Sequence, residues 1–283
     1  MQFEQYTSRV DAKLDYYLTK QGSLTEAMRY SVLAGGKRFR PILTYCVADM
    51  FGTRLEQVDS SSCAVEFIHA YSLIHDDLPA MDDDDIRHNQ PACHKRFDEA
   101  QAILAGDGLQ ALAFEVLVND PLLDSQVKVD LLSTLTHAAF EMAEGQAIDL
   151  SIVDQAVDIT VLENMHRKKT GALLSCAVDL GALVAQCSQQ DREILRDFSQ
   201  AIGLAYQIQD DVLDVEAPVG VLGKQQHSDS EKNKPTYPAI IGLQPSKEAY
   251  QALYTQASNC LGQLSVDSTK LQSLTHKLQV REF

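Results

Sequence analysis

The sequence predicts an all-α fold. Apolar residues recur at three- and four-residue spacing through most of the chain, whereas the alternating pattern of half-buried β-strands is hard to find. No proline lies between Pro121 and Pro218, so nothing of that kind breaks a helix over this long stretch. One helix face within it is formed by Leu131, Leu132, Leu135, Ala138, Ala139 and Met142.

Further helices are predicted on both sides of this stretch. They lie at about 3–20, 24–34, 41–51, 58–78, 98–118, 246–264 and 267–280. Ser23 with Glu26 fits a capping box for the second helix, and Asp120-Pro121 fits an N-cap followed by proline at the first helical position. The segment 217–238 mixes glycine and proline with polar residues and predicts an irregular loop.

The length predicts one large domain over 1–283, since 283 residues are near the upper limit for one hydrophobic core. We see no run of the about 18 apolar residues that a membrane span requires. The first residues include acidic side chains and no continuous apolar region, so we do not expect a secretory signal.

The cysteines indicate free thiols in a reducing compartment, and we expect a cytoplasmic protein. They occur in apolar contexts without a C-x-x-C pair, at Cys46, Cys63, Cys93, Cys176, Cys187 and Cys260. Cys93-His94 lies near His88, but the spacing matches no common structural zinc pattern.

The charge balance argues against some partners. The formal net charge is −16, from 40 acidic and 24 basic residues. Such a chain is repelled by nucleic acid and by anionic membrane surfaces, so we expect neither as a non-specific partner.

The most informative feature is an aspartate run. Six of the ten residues from Asp76 to Asp85 are aspartates. His69 stands seven residues before Asp76, two helical turns on the same face, and Pro79 disfavours helix for the residue before it, which lets the following aspartates turn back. Because crowded like charges are costly unless a cation offsets them, the run favours a metal site over a solvated acidic turn.

A second cluster lies far downstream. Helical spacing predicts one shared face, formed by Gln207, Asp210, Asp211 and Asp214. Ile208, Val212 and Leu213 fill the opposite side. An amphipathic surface helix produces this pattern by chance, but two such clusters together predict a shared site for Mg²⁺, which takes oxygen ligands and pairs carboxylates with substrate phosphates.

Isolated cations suit a diphosphate. Residues 35–41 read G-G-K-R-F-R-P, a glycine turn with Lys37 and Arg40 and with a proline suited to a helix start. The spacing is not that of a P-loop. Lys169 stands in a cationic turn over 167–171, and Lys224 and Lys234 stand in the irregular segment. Each is explained either as a phosphate partner or as a helix cap or solvated charge.

Together these motifs resemble the all-trans prenyl diphosphate synthases, closest to the bacterial farnesyl diphosphate synthases, over nearly the whole chain. D-D-x-x-x-x-D, D-D-x-x-D, G-G-K-R-x-R-P, H-x-x-S-L-I-H-D-D, K-T-G and Y-Q-x-x-D-D all stand here in family order. The resemblance implies the isoprenoid synthase fold, a single helical bundle around a central substrate cavity, and a homodimer. It implies condensation of isopentenyl diphosphate with dimethylallyl and geranyl diphosphate to farnesyl diphosphate.

The resemblance also assigns site residues. Three Mg²⁺ ions that bind the allylic diphosphate are held by Asp76, Asp82 and Asp210. Further partners of that diphosphate are Arg87, Lys169 and Lys224, and Lys234 is a second lysine of the segment that closes as a lid. The positions for isopentenyl diphosphate are Lys37, Arg40 and His69. Groups facing the allylic carbocation are Thr170 and Gln207.

One position departs from the family pattern. Two adjacent arginines and a glycine usually follow the first aspartate motif, whereas this chain has Arg87-His88-Asn89. The second arginine contributes to isopentenyl diphosphate binding, and His88 is largely neutral near pH 7 unless its pKa is raised. We expect the affinity for that substrate to be affected.

Product length is predicted from Tyr71 and Ser72, the fifth and fourth residues before Asp76. The hydrocarbon tail extends back along this helix. In the family, an aromatic residue here, with the longer first motif, accompanies a farnesyl product. Alternatively Tyr71 is only a core aromatic, which requires a buried partner for its phenol. A geranylgeranyl diphosphate synthase, a non-catalytic subunit and either allylic starter remain open.

Overall fold

The computed structural model describes residues 3–216 and 234–280, and the predicted all-α class is confirmed. The helices up to residue 118 are α1 (Glu4–Tyr17), α2 (Ser23–Leu33), α3 (Phe39–Met50), α4 (Asp59–Asp76), α5 (Cys93–Arg96) and α6 (Glu99–Val118), with a 3₁₀ turn at Leu55–Gln57. Those that follow are α7 (Ser125–Ser151), α8 (Ile159–His166), a π-helical turn (Arg167–Gly171), α9 (Ala172–Val184), α10 (Gln189–Glu216), α11 (Tyr237–Ile241), α12 (Leu243–Leu261) and α13 (Thr269–Val280).

A short hairpin interrupts the helices after α4. Strands β1 (Ile86–Arg87) and β2 (Gln90–Pro91) pair antiparallel, with Ile86 opposite Pro91. The turn between them uses two residues of positive φ, His88 at 50° and Asn89 at 60°. The hairpin therefore reverses the chain without glycine and returns it toward α5.

Two of the predicted helix starts are wrong. Helix α2 begins at Ser23 itself, and its N-cap is Gly22 with no side-chain cap. Helix α7 begins at Ser125, where the Asp124 carboxylate accepts a hydrogen bond from the Val127 N–H at 2.9 Å. The Asp120 carboxylate accepts hydrogen bonds from the Leu122 N–H at 2.8 Å and from the Ser60 hydroxyl at 2.5 Å. Asp120 therefore binds the turn that follows it and a distant side chain, while α7 itself begins four residues after Pro121.

The described chain forms two compact units. The first comprises the residues up to Leu135 together with Leu180–Gln186, and the second comprises Thr136–Asp179 and the residues from Cys187 onward. The prediction of a single domain over 1–283 stays a prediction.

In the first unit α4 packs against α6. Most of α4 is buried, and α6 presents alanines and Gly106 to it. A Cβ at Gly106 would stand 2.1 Å from Nε2 of His75, so the glycine leaves the space in which the His75 ring lies against α6. The His75 ring lies 3.0 Å from the Ile103 carbonyl oxygen. This contact fixes the C-terminal end of α4, where the first aspartate motif begins.

A buried ion-pair network fixes the glycine-rich turn before α3. Arg38 is buried with φ 49°, and its guanidinium donates to Asp11 at 2.7 Å, to Glu66 at 2.8 Å and to the Val32 carbonyl at 2.7 Å. A fully hydrogen-bonded guanidinium is the form in which a buried charge is tolerated. Arg38 is therefore a structural residue, and it separates Lys37 from Arg40.

In the second unit α10 packs along α12, and α10 also packs against the π-helical turn. An apolar cluster joins α8, α10 and α11 through Leu162, Met165, Leu204, Ile208 and Tyr237, with Ile152 at its edge. Buried Gln209 donates to the Gln279 carbonyl at 2.7 Å and accepts from the Tyr254 hydroxyl at 2.9 Å. These contacts hold α10 against α12 and α13.

Among the described helices, α6 is long and apolar enough to pass a composition test for a membrane span. A core helix of a soluble protein passes the same test. Helix α6 packs on α4 and carries Asp107 and Glu115, so its apolar character has a structural explanation within the first unit.

Candidate active site

The first aspartate motif folds back on the end of α4. The Asp82 N–H donates to the Asp76 carbonyl oxygen at 2.9 Å, and the Asp83 N–H donates to the Leu78 carbonyl at 3.2 Å. Asp83 takes a left-handed conformation with φ 52°. The prediction that the aspartates after Pro79 turn back toward Asp76 is confirmed. The backbones of Asp76 and Asp82 lie together at the end of α4.

Asp77, which follows Asp76 directly, turns inward and is only 1 % exposed. Arg87 from β1 donates to its carboxylate, with Nε 3.0 Å and 3.2 Å from the two oxygens and Nη2 also hydrogen-bonded. Burial raises the pKa of Asp77 above its ordinary value, and Arg87 opposes this shift. Arg87 also lies 3.6 Å from Asp84. Its contact with an allylic diphosphate stays a prediction.

Two histidines lie near the cations of the 35–41 loop. Desolvation and the nearby Arg40 hold the pKa of His69 well below its usual range. Desolvation and the neighbouring Arg87 also lower the pKa of His88, so both rings are neutral at pH 7, as predicted for His88. A Cβ on Gly36 would stand 3.4 Å from Cε1 of His88, which places His88 against the glycine turn.

The two residues predicted to set product length lie on α4. Tyr71 is buried and packs edge-on against the His75 ring at 5.8 Å. Burial raises the pKa of Tyr71, and the nearby Gln110 side chain opposes this shift. The half-buried Ser72 donates to the His69 carbonyl at 2.9 Å. The role of Tyr71 in product length stays a prediction.

Two lysines of the second unit converge on one carboxylate. Nζ of Lys169 lies 2.7 Å and Nζ of Lys234 lies 2.8 Å from Oδ2 of Asp149, which is 3 % exposed. Burial alone would raise the pKa of Asp149, but the two lysines lower it on balance. The sequence reasoning missed Asp149; its only signal is a lone carboxylate between Ile148 and Leu150. The trio keeps one net positive charge.

The cationic turn at 167–171 is a π-helical turn. It directs Lys168 to Glu141 at 3.0 Å and Lys169 to Asp149, in two different directions. A Cβ at Gly145 would stand 2.2 Å from the Lys169 backbone nitrogen, so α7 contacts the turn through a glycine. Single π-turns in helices are frequent at functional sites, and this one also carries the half-buried Thr170.

The residues of the second aspartate motif differ in burial. Gln207 and Asp210 are half-buried, whereas Asp211 and Asp214 are buried. Oδ2 of Asp211 accepts a hydrogen bond from the Tyr237 N–H at 2.8 Å and lies 3.2 Å from Nε2 of the buried His166. The four residues keep the predicted helical spacing within α10, but contacts from α8 and α11 cover Asp211.

Each aspartate pair thus divides its roles. The first residues, Asp76 and Asp210, stay half-buried, while the second residues, Asp77 and Asp211, are buried against fixed partners. In the first unit Asp76 and Asp82 offer carboxylate oxygens, the donors that suit Mg²⁺, and in the second unit Asp210 offers the same kind of donor. Lys224 and most of the predicted lid, 217–233, lie outside the described residues.

Comparison with known proteins agrees with these motifs. The family model for polyprenyl synthetase matches residues 21–273. The curated farnesyl diphosphate synthase of Escherichia coli is 44 % identical over 96 % of this chain and 93 % of its own. A chloroplastic geranylgeranyl pyrophosphate synthase of Arabidopsis thaliana is 40 % identical over 94 % of this chain and 76 % of its own.

A solved structure agrees as well. The crystal structure of a geranyltransferase from Legionella pneumophila aligns with a TM-score of 0.88 at 36 % identity, covering 99 % of this chain and 96 % of that one. Sequence and fold therefore point the same way, and the chain belongs to the polyprenyl synthetase family.

Proposed function

We propose that this protein condenses isopentenyl diphosphate with dimethylallyl diphosphate and then with geranyl diphosphate, and releases farnesyl diphosphate. The observation that carries the proposal is the division of roles within both aspartate pairs, in a chain that matches farnesyl diphosphate synthases over almost its whole length. A geranylgeranyl product is less supported, because the Escherichia coli farnesyl diphosphate synthase is 44 % identical to this chain and the plant geranylgeranyl synthase 40 %.

Members of this family use Mg²⁺, and we infer that Asp76, Asp82 and Asp210 bind it, with three ions in each active site. When bound, Mg²⁺ neutralises the negative charge that develops on the departing allylic diphosphate. The ion pair between Arg87 and the buried Asp77 supports this assignment. Because Arg87 neutralises Asp77, the repulsion that Mg²⁺ would offset is that among the remaining, less buried carboxylates.

The lysine pair supports ionisation of the allylic substrate. Asp149 orients both Lys169 and Lys234 through one carboxylate oxygen. Ammonium groups held in fixed positions before the substrate arrives are suited to stabilise the leaving diphosphate. Thr170 and Gln207 are assigned to stabilise the allylic cation through their dipoles, and Lys224 is assigned as a further diphosphate partner.

The second substrate requires a site of its own. We assign the diphosphate of isopentenyl diphosphate to Lys37, Arg40 and His69, with His88 beside them. Since His69 is neutral, it offers a hydrogen bond and no charge. The double bond of isopentenyl diphosphate attacks the allylic cation, a new carbon–carbon bond forms, and a proton is lost to the released diphosphate. Water must be kept out, because it would quench the cation to an alcohol.

The alternative of a non-catalytic subunit lacks support, since such subunits generally lose one aspartate motif and this chain retains both. We expect catalysis by a homodimer in the cytoplasm. The first unit leaves apolar side chains of α6, of the turn after it and of the start of α7 exposed, namely Ile103, Leu104, Val118, Leu122 and Val129. Leu104 is 53 % and Val129 57 % exposed, and a second copy of this chain would cover them.

Removing Asp76 or Asp210, the half-buried first residue of each aspartate pair, should abolish most of the activity. We expect Asp76→Ala and Asp210→Ala each to lower kcat by at least about a hundredfold, the effect of losing an electrostatic stabiliser. Steady-state assays at saturating Mg²⁺ and after chelation measure this. Because both residues serve one step, the double variant should lose much less than the product of the two single effects.

The control for these variants is Asp197→Ala, which removes an exposed carboxylate from the same helix as Asp210. It should retain normal turnover. Near-normal turnover of Asp76→Ala or Asp210→Ala, with metal dependence intact, would contradict the assignment.

Restoring the family arginine should improve binding of the second substrate. We expect His88→Arg to lower KM for isopentenyl diphosphate about tenfold or more, since a charge-assisted hydrogen bond contributes about 1.5 to 3 kcal/mol. KM for geranyl diphosphate should change little. His137→Arg, which adds the same charge at an exposed position, is the control. An equal change for both substrates, or none, would show that His88 does not serve this site.

Shortening Tyr71 should lengthen the product. We expect Tyr71→Ala to make geranylgeranyl diphosphate or longer chains, and Ser72→Phe to stop at geranyl diphosphate, as seen by chromatography of the dephosphorylated products. Tyr71→Phe keeps the ring and loses only the phenol oxygen, so its product should stay farnesyl diphosphate. An active Tyr71→Ala enzyme that still stops at farnesyl diphosphate would place the floor elsewhere.

A charge on the exposed apolar surface should weaken self-association. We expect Leu104→Lys to shift the protein from dimer toward monomer in light scattering over a dilution series. Tyr16→Lys, at a residue of α1 that is 67 % exposed, should leave the dimer intact. If the protein is a monomer at all concentrations, or if Leu104→Lys has no effect, the proposed interface is wrong.

A further inference from the structure

We propose that Asp83, Asp85 and His94 bind a divalent transition-metal ion, of the class of Zn²⁺ or Mn²⁺. One ligand atom from each residue lies within 4.8 Å of the other two. This site is additional to the Mg²⁺ ligands assigned above, and its proposed role is to hold together the segment that follows the first aspartate motif.

The backbone brings these three residues together. The Asp83 N–H donates to the Leu78 carbonyl at 3.2 Å, and the Ala92 N–H donates to the Asp85 carbonyl at 2.8 Å. The second contact sets the residue before β1 beside the start of α5, which carries His94. The geometry is therefore fixed by the hairpin and does not depend on the flexible ends of the side chains alone.

The histidine is the observation that points to a ligand. His94 is 7 % exposed, and in the part of the chain that the structure describes neither of its ring nitrogens has a hydrogen-bond partner. A buried polar group without a partner costs about 1 to 3 kcal/mol, so such groups require an explanation. A metal ion beside the Asp83 and Asp85 carboxylates would bind one of these nitrogens.

The donor set selects the kind of ion. An imidazole nitrogen with two carboxylates suits Zn²⁺ or Mn²⁺, whereas a site of oxygen atoms alone suits Mg²⁺. Asp83 and Asp85 are exposed, which leaves positions open for water. Lys95 Nζ lies 2.8 Å from Oδ1 of Asp85 and compensates one of the charges. Because Lys95 is 43 % exposed, it can turn into solvent when an ion takes its place.

The site differs from the zinc pattern considered from the sequence. That pattern grouped Cys93, His94 and His88, whereas the structure groups His94 with two aspartates. The intervening Asp84 lies toward Arg87 at 3.6 Å. An ion at the new site would cross-link Asp83 and Asp85 to α5, and so would stabilise the hairpin that carries Arg87 and His88.

Electron spin echo spectroscopy of the full chain with Mn²⁺, without substrate, tests the proposal. Nitrogen modulation from a coordinated imidazole is expected in the wild type and should be lost in His94→Gln. His137→Gln, at an exposed histidine of α7, should retain it. Absence of nitrogen modulation in the wild type, or its persistence in His94→Gln, would overturn the site.

A second variant covers the case in which His94→Gln does not fold. Asp83→Asn with Asp85→Asn changes two exposed residues, keeps the buried histidine, and should also lose the nitrogen modulation. Zn²⁺ added in the presence of excess Mg²⁺ should raise the melting temperature of the wild type and not that of this double variant. An equal rise in both proteins would show that Zn²⁺ binds elsewhere. Failure of the site would leave the proposed synthase activity untouched, because turnover is measured separately.

Discussion

The cost of crowding carboxylates is the constraint on which the rest of the structure depends. In the pairs Asp76-Asp77 and Asp210-Asp211 the first carboxylate is half-buried. The second is buried, and partners inside the fold offset its negative charge. Arg87 from the hairpin neutralises Asp77, and a backbone N–H and His166 bind Asp211. Without such a partner, burial would raise the pKa of the carboxylate, which would then take up a proton and lose its charge. The hairpin and helix α11 are therefore as necessary to the motifs as the aspartates themselves.

Crowded positive charges are offset in the same way at Lys169 and Lys234, where the partner is a buried carboxylate. Two ammonium groups repel each other, and the buried Asp149 holds both within 2.8 Å of one oxygen. One carboxylate thus fixes the positions of both ammonium groups. The π-helical turn carries Lys169 to Asp149, whereas the adjacent Lys168 binds Glu141.

Much of the fold could be predicted from the sequence because helical periodicity is a local property. The predicted family, fold class and farnesyl diphosphate synthase activity agree with the relatives. What periodicity could not supply was which polar side chain meets which distant partner. The Asp120 carboxylate binds Ser60, 60 residues away, as well as the local Leu122 N–H, and Asp124 caps α7. Asp149 and the inward turn of Asp211 likewise depend on partners that only packing brings near.

The sequence motifs indicate the type of reaction, but product length depends also on contacts outside the motifs. Tyr71 packs against the His75 ring, and the nearby Gln110 of α6, a residue that belongs to no motif, affects the pKa of its phenol. The His75 ring in turn lies in the space that Gly106 of α6 leaves open, because a Cβ there would meet the ring. Under the proposed role of Tyr71, a change in α6 would alter product length while every aspartate stays in place.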